Sequence, residues 1–298
     1  MPTALVTGIQ GFTGRHLANE LRSAGYRVIG TSRQAGCHGD REDVLTCDLS
    51  DRSAMTEMFR SIQPEVVIHL AGMAHVVQGD VDRLYHTHIV GTRNLLEALV
   101  HSGCQPRSVL LASSGHIYGN ANVALIDETT TAAPASDYAV SKLAMEYMAR
   151  LWLDRLPITL VRPFNYTGVG QSMNFLLPKL VHCFKNRLPV LELGNLDVVR
   201  DFSDVRSVVH CYRRLTESDK MAGEDFIICS GEGHSLTGVL QMMRDLSGHA
   251  PEIRINPAYV RSNDMRRLVG SRAKLERVVG SVHFIPLMET LRWMLDHH

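Results

Sequence analysis

Residues 3–24 constrain the fold more tightly than any other part of the chain. Ala4–Thr7 reads as a strand, and Phe12–Ala24 reads as a helix with Leu17 and Leu21 on one face. Between and across them Gly8, Gly11 and Gly14 are spaced Gly-x-x-Gly-x-x-Gly, in the run Thr7-Gly8-Ile9-Gln10-Gly11-Phe12-Thr13-Gly14. A strand that passes straight into a helix needs a residue tolerant of positive φ at the turn. The helix start then offers free N–H groups and a partial positive charge to an anion. A glycine spacing alone is weak, but here it follows a clean strand and precedes an amphipathic helix, which is the context of a dinucleotide pyrophosphate site. The bland alternative is a tight structural turn.

The same alternation continues. Strands are expected at Arg27–Thr31, Val44–Cys47, Glu65–Leu70, Ser108–Ser113 and Ile158–Arg162, and helices at Asp51–Ser61, Arg83–His101 and Asp137–Leu153. Strands alternating with helices imply an α/β fold with a doubly wound parallel sheet. The continuous apolar runs suit strands covered on both faces. Beyond Arg162-Pro163-Phe164-Asn165 the pattern loosens. A helix is expected at Asn174–Arg187, a hairpin over Glu192–Asp201 with Gly194-Asn195 as its turn, a strand at Phe226–Cys229 and a helix at Leu236–Ser247. The reading is a dinucleotide-binding domain over 1–165, with a segment returning to it over about 202–230, and a smaller mixed lobe from 166–201 and 231–298.

Composition narrows the function classes. In 298 residues, 31 Lys and Arg balance 31 Asp and Glu, with no basic stripe, which argues against a nucleic-acid surface. No apolar stretch approaches the roughly 18 residues of a membrane span. The N-terminus lacks the pattern of a signal peptide. Six scattered cysteines without a Cys-x-x-Cys pair read as reduced thiols of a cytoplasmic protein. The 15 histidines show no metal-ligand spacing, and no metal is expected.

At the end of the second strand, Thr31-Ser32-Arg33 carries no acid. An NAD site usually presents Asp or Glu here to the ribose hydroxyls, whereas an Arg pairs with a 2′-phosphate. NADP(H) is therefore favoured over NAD(H), the alternative being a solvated Arg33. Asp48 and Leu49 are placed to meet the adenine, and Leu70, Ala71 and Gly72 to pass close to the cofactor. Tyr138 and Lys142, four apart on a helix, share a face. An ammonium beside a phenol favours the phenolate and makes a proton donor or acceptor.

Four segments together resemble the extended short-chain dehydrogenase/reductases that act on nucleotide sugars: the glycine turn, Ser113-Ser114-Gly115-His116-Ile117-Tyr118-Gly119, Tyr138-Ala139-Val140-Ser141-Lys142 and Arg162-Pro163-Phe164-Asn165. The resemblance spans nearly the whole chain. It implies a catalytic set of Ser114, Tyr138 and Lys142, with Ser114 on the sugar oxygen, Tyr138 passing the proton and Lys142 lowering the phenol pKa while holding the nicotinamide ribose. It implies a cofactor cradle of Gly8, Gln10, Gly11, Phe12, Thr13 and Gly14. Dehydratases of the family carry an acid just after the catalytic Ser or Thr, where this chain has Gly115 and His116, so ketone reduction is expected rather than loss of water.

Later segments, 162–171, 194–202 and Cys229-Ser230-Gly231, look like bacterial GDP-4-keto-6-deoxy-D-mannose reductases. By that likeness the product is GDP-D-rhamnose or its 4-epimer GDP-6-deoxy-D-talose. Asn165, Arg200 and Arg261 would lie at the diphosphate, Asp264 at the nucleoside ribose, and Met73, His75, Ser114, Gly115, His116 and Lys179 on the sugar side. A homodimer is a family expectation, built from the two long helices. The chain departs from the family in having His88 where Asn is usual, and Ser262 where Pro is common. The alternatives are a 4-epimerase or 4,6-dehydratase of the same family, or a non-catalytic dinucleotide sensor.

Overall fold

A computed structural model describes residues 1–33, 43–74, 80–121, 123–260 and 265–297. Seven parallel strands form the main sheet: β1 (Thr3–Thr7), β2 (Arg27–Ser32), β3 (Val44–Thr46), β4 (Val66–His69), β5 (Ser108–Ala112), β6 (Ile158–Pro163) and β10 (Asp225–Ile228). Their spatial order is β10-β6-β5-β4-β1-β2-β3. The order reverses at β1, so β1 and β4 flank a crevice at their carboxyl ends where ligands bind in open α/β sheets. Thr7 and His69 are register partners at that point.

Helices cover both faces. α1 (Phe12–Ser23) packs with α7 (Val205–Thr216) on one side, where Leu17, Leu21, Val208, Tyr212 and Leu215 join Val6, Val28 and Leu110 in one core. On the other side α2 (Arg52–Ile62), α4 (Thr92–Ser102) and α5 (Asp137–Arg150) bury Met55, Phe59, Leu95, Leu99 and Met145 against Leu5, Val67 and Leu111. The expected long helix over 83–101 is divided. A short α3 (Val81–Tyr85) runs into a π turn, His86–Gly91, before α4 begins. A π turn inserts one residue into the helical register. His86 is left exposed while His88 turns inward, 2% exposed.

The second lobe contains α6 (Leu176–Lys185), α8 (Leu236–Ser247) and α10 (Leu287–His297), whose Leu180, Phe184, Val239, Met243 and Leu291 form a separate core. The expected hairpin over 192–201 is not formed. β8 (Val190–Leu193) instead pairs in parallel with β12 (Glu252–Ile255), some sixty residues on, and β9 (Val199–Asp204) belongs to another sheet. Gly194 serves close packing, since a side chain there would collide with the Tyr259 carbonyl. β9 is the seam of the molecule. Its first half pairs with β11 (Gly233–Ser235) and β13 (Arg267–Leu268), and its second half with β7 (Asn165–Thr167), which leads on from β6. α9 (Ala273–Val279) then packs beside β10 and α7. Helix α7, absent from the sequence expectations, shows its pattern plainly in Val205, Val208, Val209, Tyr212 and Leu215 after the capping carboxylate of Asp204.

Candidate active site

The glycine turn is shaped as a cradle. Gly8 has φ +70, and a Cβ there would stand 3.0 Å from the Ala71 backbone. A Cβ on Gly14 would overlap the Gly8 carbonyl. Gly11 caps α1 without any side-chain hydrogen bond to the first-turn amides. Those amides, beside a turn whose Gly8, Gly11 and Gly14 carry no side chain, suit an anionic diphosphate and fit the dinucleotide that the spacing implies.

The residues expected at the adenosine are grouped at the tips of β2 and β3. Ser32 Oγ donates to Gln10 Oε1 at 2.7 Å, and Arg33 is exposed beside them. The Asp48 carboxylate lies below its usual range because the Ser50 amide and hydroxyl bind it, with Arg33 and Arg83 adding positive charge. Leu49 packs on Gly91, and its carbonyl accepts from Asn94. At the switch point, the Ala71 amide donates to Thr7 Oγ1 at 3.1 Å, and Thr7 and Thr92 bracket the buried His69 ring at 2.7 and 3.0 Å. Burial and the Lys142 charge hold His69 neutral, with a pKa of about 3.

Ser114, Tyr138 and Lys142 stand together beyond β5. Ser114, 3% exposed, opens a 3-10 turn over Gly115–Tyr118 and accepts the His116 amide at 3.2 Å, with His116 Nδ1 at 3.1 Å from the same hydroxyl. The Tyr138 ring is half-buried between the edges of His88 and His116, at centroid distances of 5.7 and 6.0 Å. Burial lifts its phenol to about 12, while the Ser114 hydroxyl pulls the other way and Tyr166 adds to the rise. Lys142 directs its ammonium to the Ala112 carbonyl at 2.8 Å, and burial lowers its pKa to about 8 against the pull of Glu146. Burial thus moves the phenol opposite to the direction the Tyr–Lys spacing suggests.

Other expected residues fall at several distances from this cluster. Gly115 lies against the Phe164 ring, so closely that any Cβ would enter it. Met73 reaches the cluster through its amide, which donates to His88. Asn165 sits half-buried on β7 and Arg200 on β9, where one guanidinium nitrogen bonds the Val199 carbonyl at 3.1 Å. Lys179 is engaged within its own lobe, donating to the Glu192 carbonyl at 2.7 Å beneath the Tyr259 ring. His75, Arg261 and Asp264 lie outside the described residues.

Two site features escaped the sequence reading. Tyr166 bonds Thr13 at 2.8 Å and stacks on Phe12, joining the glycine turn to β7. Arg15 and His16 extend the tie to the Gly170 and Val169 carbonyls. The Tyr166 signal was present in the 162–171 segment, but nothing in it names a partner 153 residues away.

Comparison with known proteins identifies the family. The family described as "NAD dependent epimerase/dehydratase family" matches residues 4–229. A GDP-6-deoxy-D-talose 4-dehydrogenase of Aggregatibacter actinomycetemcomitans is 34% identical, covering 93% of this chain and 91% of that protein. A GDP-6-deoxy-D-mannose reductase of Pseudomonas aeruginosa is 32% identical, covering 98% and 95%. Among solved structures, RMD from Pseudomonas aeruginosa complexed with NADPH superposes with a TM-score of 0.87 at 29% identity, covering 100% and 98%. A Burkholderia cenocepacia protein, given only a provisional description as an epimerase, reaches 0.93 at 49% identity, covering 99% and 97%. The chain belongs to the NAD-dependent epimerase/dehydratase family of extended short-chain dehydrogenase/reductases, and is an NAD(P)-dependent enzyme of nucleotide-sugar chemistry.

Proposed function

We propose that the protein reduces the 4-keto group of a GDP-4-keto-6-deoxy-hexose with NADPH, giving GDP-D-rhamnose or GDP-6-deoxy-D-talose. The observation that carries this reading is the Gly115–Phe164 contact beside Ser114. Of the two positions where a dehydrating carboxylate would stand, Gly115 is closed by the Phe164 ring and the other holds the His116 imidazole, 3.1 Å from the Ser114 hydroxyl, so no carboxylate stands there and the site is suited to moving a proton onto a ketone. Ser114 holds the ketone oxygen, and Tyr138 gives that oxygen a proton as the carbonyl carbon becomes tetrahedral. A phenol kept protonated by burial suits a donor. Lys142 carries a positive charge beside the ribose and the developing alkoxide. The cofactor, held by Gly8, Gln10, Gly11, Phe12, Thr13, Gly14, Ser32 and Arg33, supplies hydride. Asn165, Arg200, Arg261 and Asp264 hold the nucleotide, the arginines by charge-assisted contact with the diphosphate. The relatives named for GDP-6-deoxy sugars support guanine as the base.

An epimerase reading is favoured by one observation, the provisional description of the 49% identical neighbour. One experiment separates the two. NADPH oxidation is followed with GDP-4-keto-6-deoxy-mannose, UDP- and dTDP-linked 4-keto sugars, and the product C4 configuration is read by proton NMR. Stoichiometric oxidation with the GDP sugar is expected. Faster turnover of the UDP or dTDP sugars would overturn the substrate assignment. Purification with tightly held NAD and interconversion of epimers without net oxidation would establish the epimerase. The protein is further proposed to work as a homodimer in the cytoplasm, through α4 and α5, where Val140, Tyr147 and Leu151 are exposed on one face.

A further inference from the structure

His88 stands where three parts of the site meet. The π turn points it inward from between α3 and α4. The Met73 amide donates to its Nε2 at 3.1 Å. An amide nitrogen can only donate, so Nε2 is the unprotonated nitrogen and the ring proton sits on Nδ1. Nδ1 lies 2.9 Å from Ser141 Oγ, and that hydroxyl in turn donates to the Tyr138 carbonyl at 2.8 Å. Every donor in this chain meets one acceptor, from the segment after β4, through the π turn, to the first turn of α5. Gly72 closes the same corner, since a Cβ there would stand 3.1 Å from His88 Nε2 and 3.7 Å from Lys142 Nζ.

We infer that His88 is a positioning residue, which in its Nδ1-protonated tautomer fixes the Gly72–Met73 segment to the helix that carries Tyr138 and Lys142. The simpler account, a satisfied core histidine, explains its burial but not its partners. One partner is the Ser141 hydroxyl, which itself donates to the backbone carbonyl of the proton donor, and the other is the backbone of a residue expected to face the sugar. The charged and titratable groups around the ring agree with a neutral state. Lys142 on α5 and His69 on β4 both disfavour a second proton, burial disfavours it most, and the Met73 contact opposes them weakly. Tyr138 presents its ring to the His88 edge. A cation at this place would set two positive charges side by side, so the ring holds geometry and leaves the charge to Lys142.

The kinetic arm of the test rests on the proposed reduction; the spectroscopic arm does not. Asn places an amide where Nδ1 sits, and Gln places one where Nε2 sits. His88→Asn therefore keeps a donor for Ser141 and loses the Met73 contact, whereas His88→Gln does the reverse. His88→Leu keeps neither. One net hydrogen bond corresponds to about five- to tenfold. His88→Asn should raise the sugar KM by about that factor with kcat little changed, and His88→Gln should lower kcat by about that factor with KM little changed. His88→Leu should show both. Thermal melts on all three variants show whether folding is retained. Equal loss in all three, tracking stability alone, would overturn the inference, as would parental kcat and KM in His88→Leu. Independently, nitrogen-15 NMR of the ring, assigned by its loss in His88→Asn, should report the Nδ1–H tautomer throughout about pH 6–9. A signal titrating near about 6.5, or an Nε2–H tautomer, would overturn it whatever the substrate proves to be.

Discussion

At the residue scale, charge and burial decide what each side chain offers. Arg33 is exposed at the tip of β2, next to Ser32 and within the field of Asp48. A charged hydrogen bond to a phosphate contributes about 1.5–3 kcal/mol. Arg33→Ala should therefore weaken NADPH binding by about 10- to 100-fold and leave NADH binding nearly unchanged, as read by fluorescence titration. An equal loss for both cofactors would refute the 2′-phosphate assignment. Lys142 supplies the pH dependence. Burial lowers its pKa to about 8, so its charge is complete below that value and lost above it. Tyr138, lifted to about 12, remains protonated across the same interval. The kcat/KM for reduction should accordingly fall as pH rises through about 8, and a flat profile to about pH 10 would dissociate Lys142 from the rate. Stability runs the other way. The unfolded chain binds the Lys142 proton more tightly, so this group costs stability below about 8, and the cost fades as pH rises toward the ordinary lysine value.

At the element scale, α5 is fastened to the sheet by a buried ion pair. Arg162 on β6 makes two contacts to Glu146, at 3.0 and 2.6 Å, and further contacts to Tyr118 and Asp225 at 2.9 and 2.7 Å. Glu146 is 1% exposed and Arg162 6%. Removing Glu146 leaves the buried Arg162 charge with the Asp225 carboxylate alone, 2.7 Å away, so the loss lies at or below that of a fully uncompensated charge, about 3–5 kcal/mol. Glu146→Leu should lower the unfolding free energy accordingly, read as a lower urea midpoint at unchanged slope, and an unchanged midpoint would show the network to be neutral. The elements also show what the sequence could carry. The strands of the main sheet and the helices α1, α5 and α8 were legible because each is a local pattern ended by a cap or a glycine. Ser114, Tyr138 and Lys142 were legible as motifs, and the structure brings them together. The hairpin misreading at 192–201 came from taking Gly194-Asn195 as turn chemistry, when β8 has its partner in β12 and Gly194 a neighbour in Tyr259. The π turn was illegible because His88 and His86 fit an ordinary helix until Met73 and Ser141 are seen to claim the ring. The phenol shift was illegible for the same reason, since burial is a property of the assembled site.

At the scale of the whole molecule, no helix among the described residues is long and apolar enough to cross a membrane. The two lobes share β9, and the cofactor turn is tied to the second lobe by Thr13, Arg15 and His16. The main sheet is completed from afar: its edge strand β10 starts at Asp225, and α7, which shares the cover of one face with α1, starts at Val205. A chain emerging from the ribosome at about 5–20 residues per second exposes the apolar undersides of β1, β4 and β5 until roughly fifty residues after β6 have followed. The glycine cradle is thus among the first pieces made and among the last to become rigid. A fragment ending at residue 170 should accordingly be insoluble or bind hydrophobic dye, whereas one ending near residue 230 should not. Equal solubility of the two would show that the early strands find cover without α7. In time rather than space, the strand that closes this sheet acts as its clock.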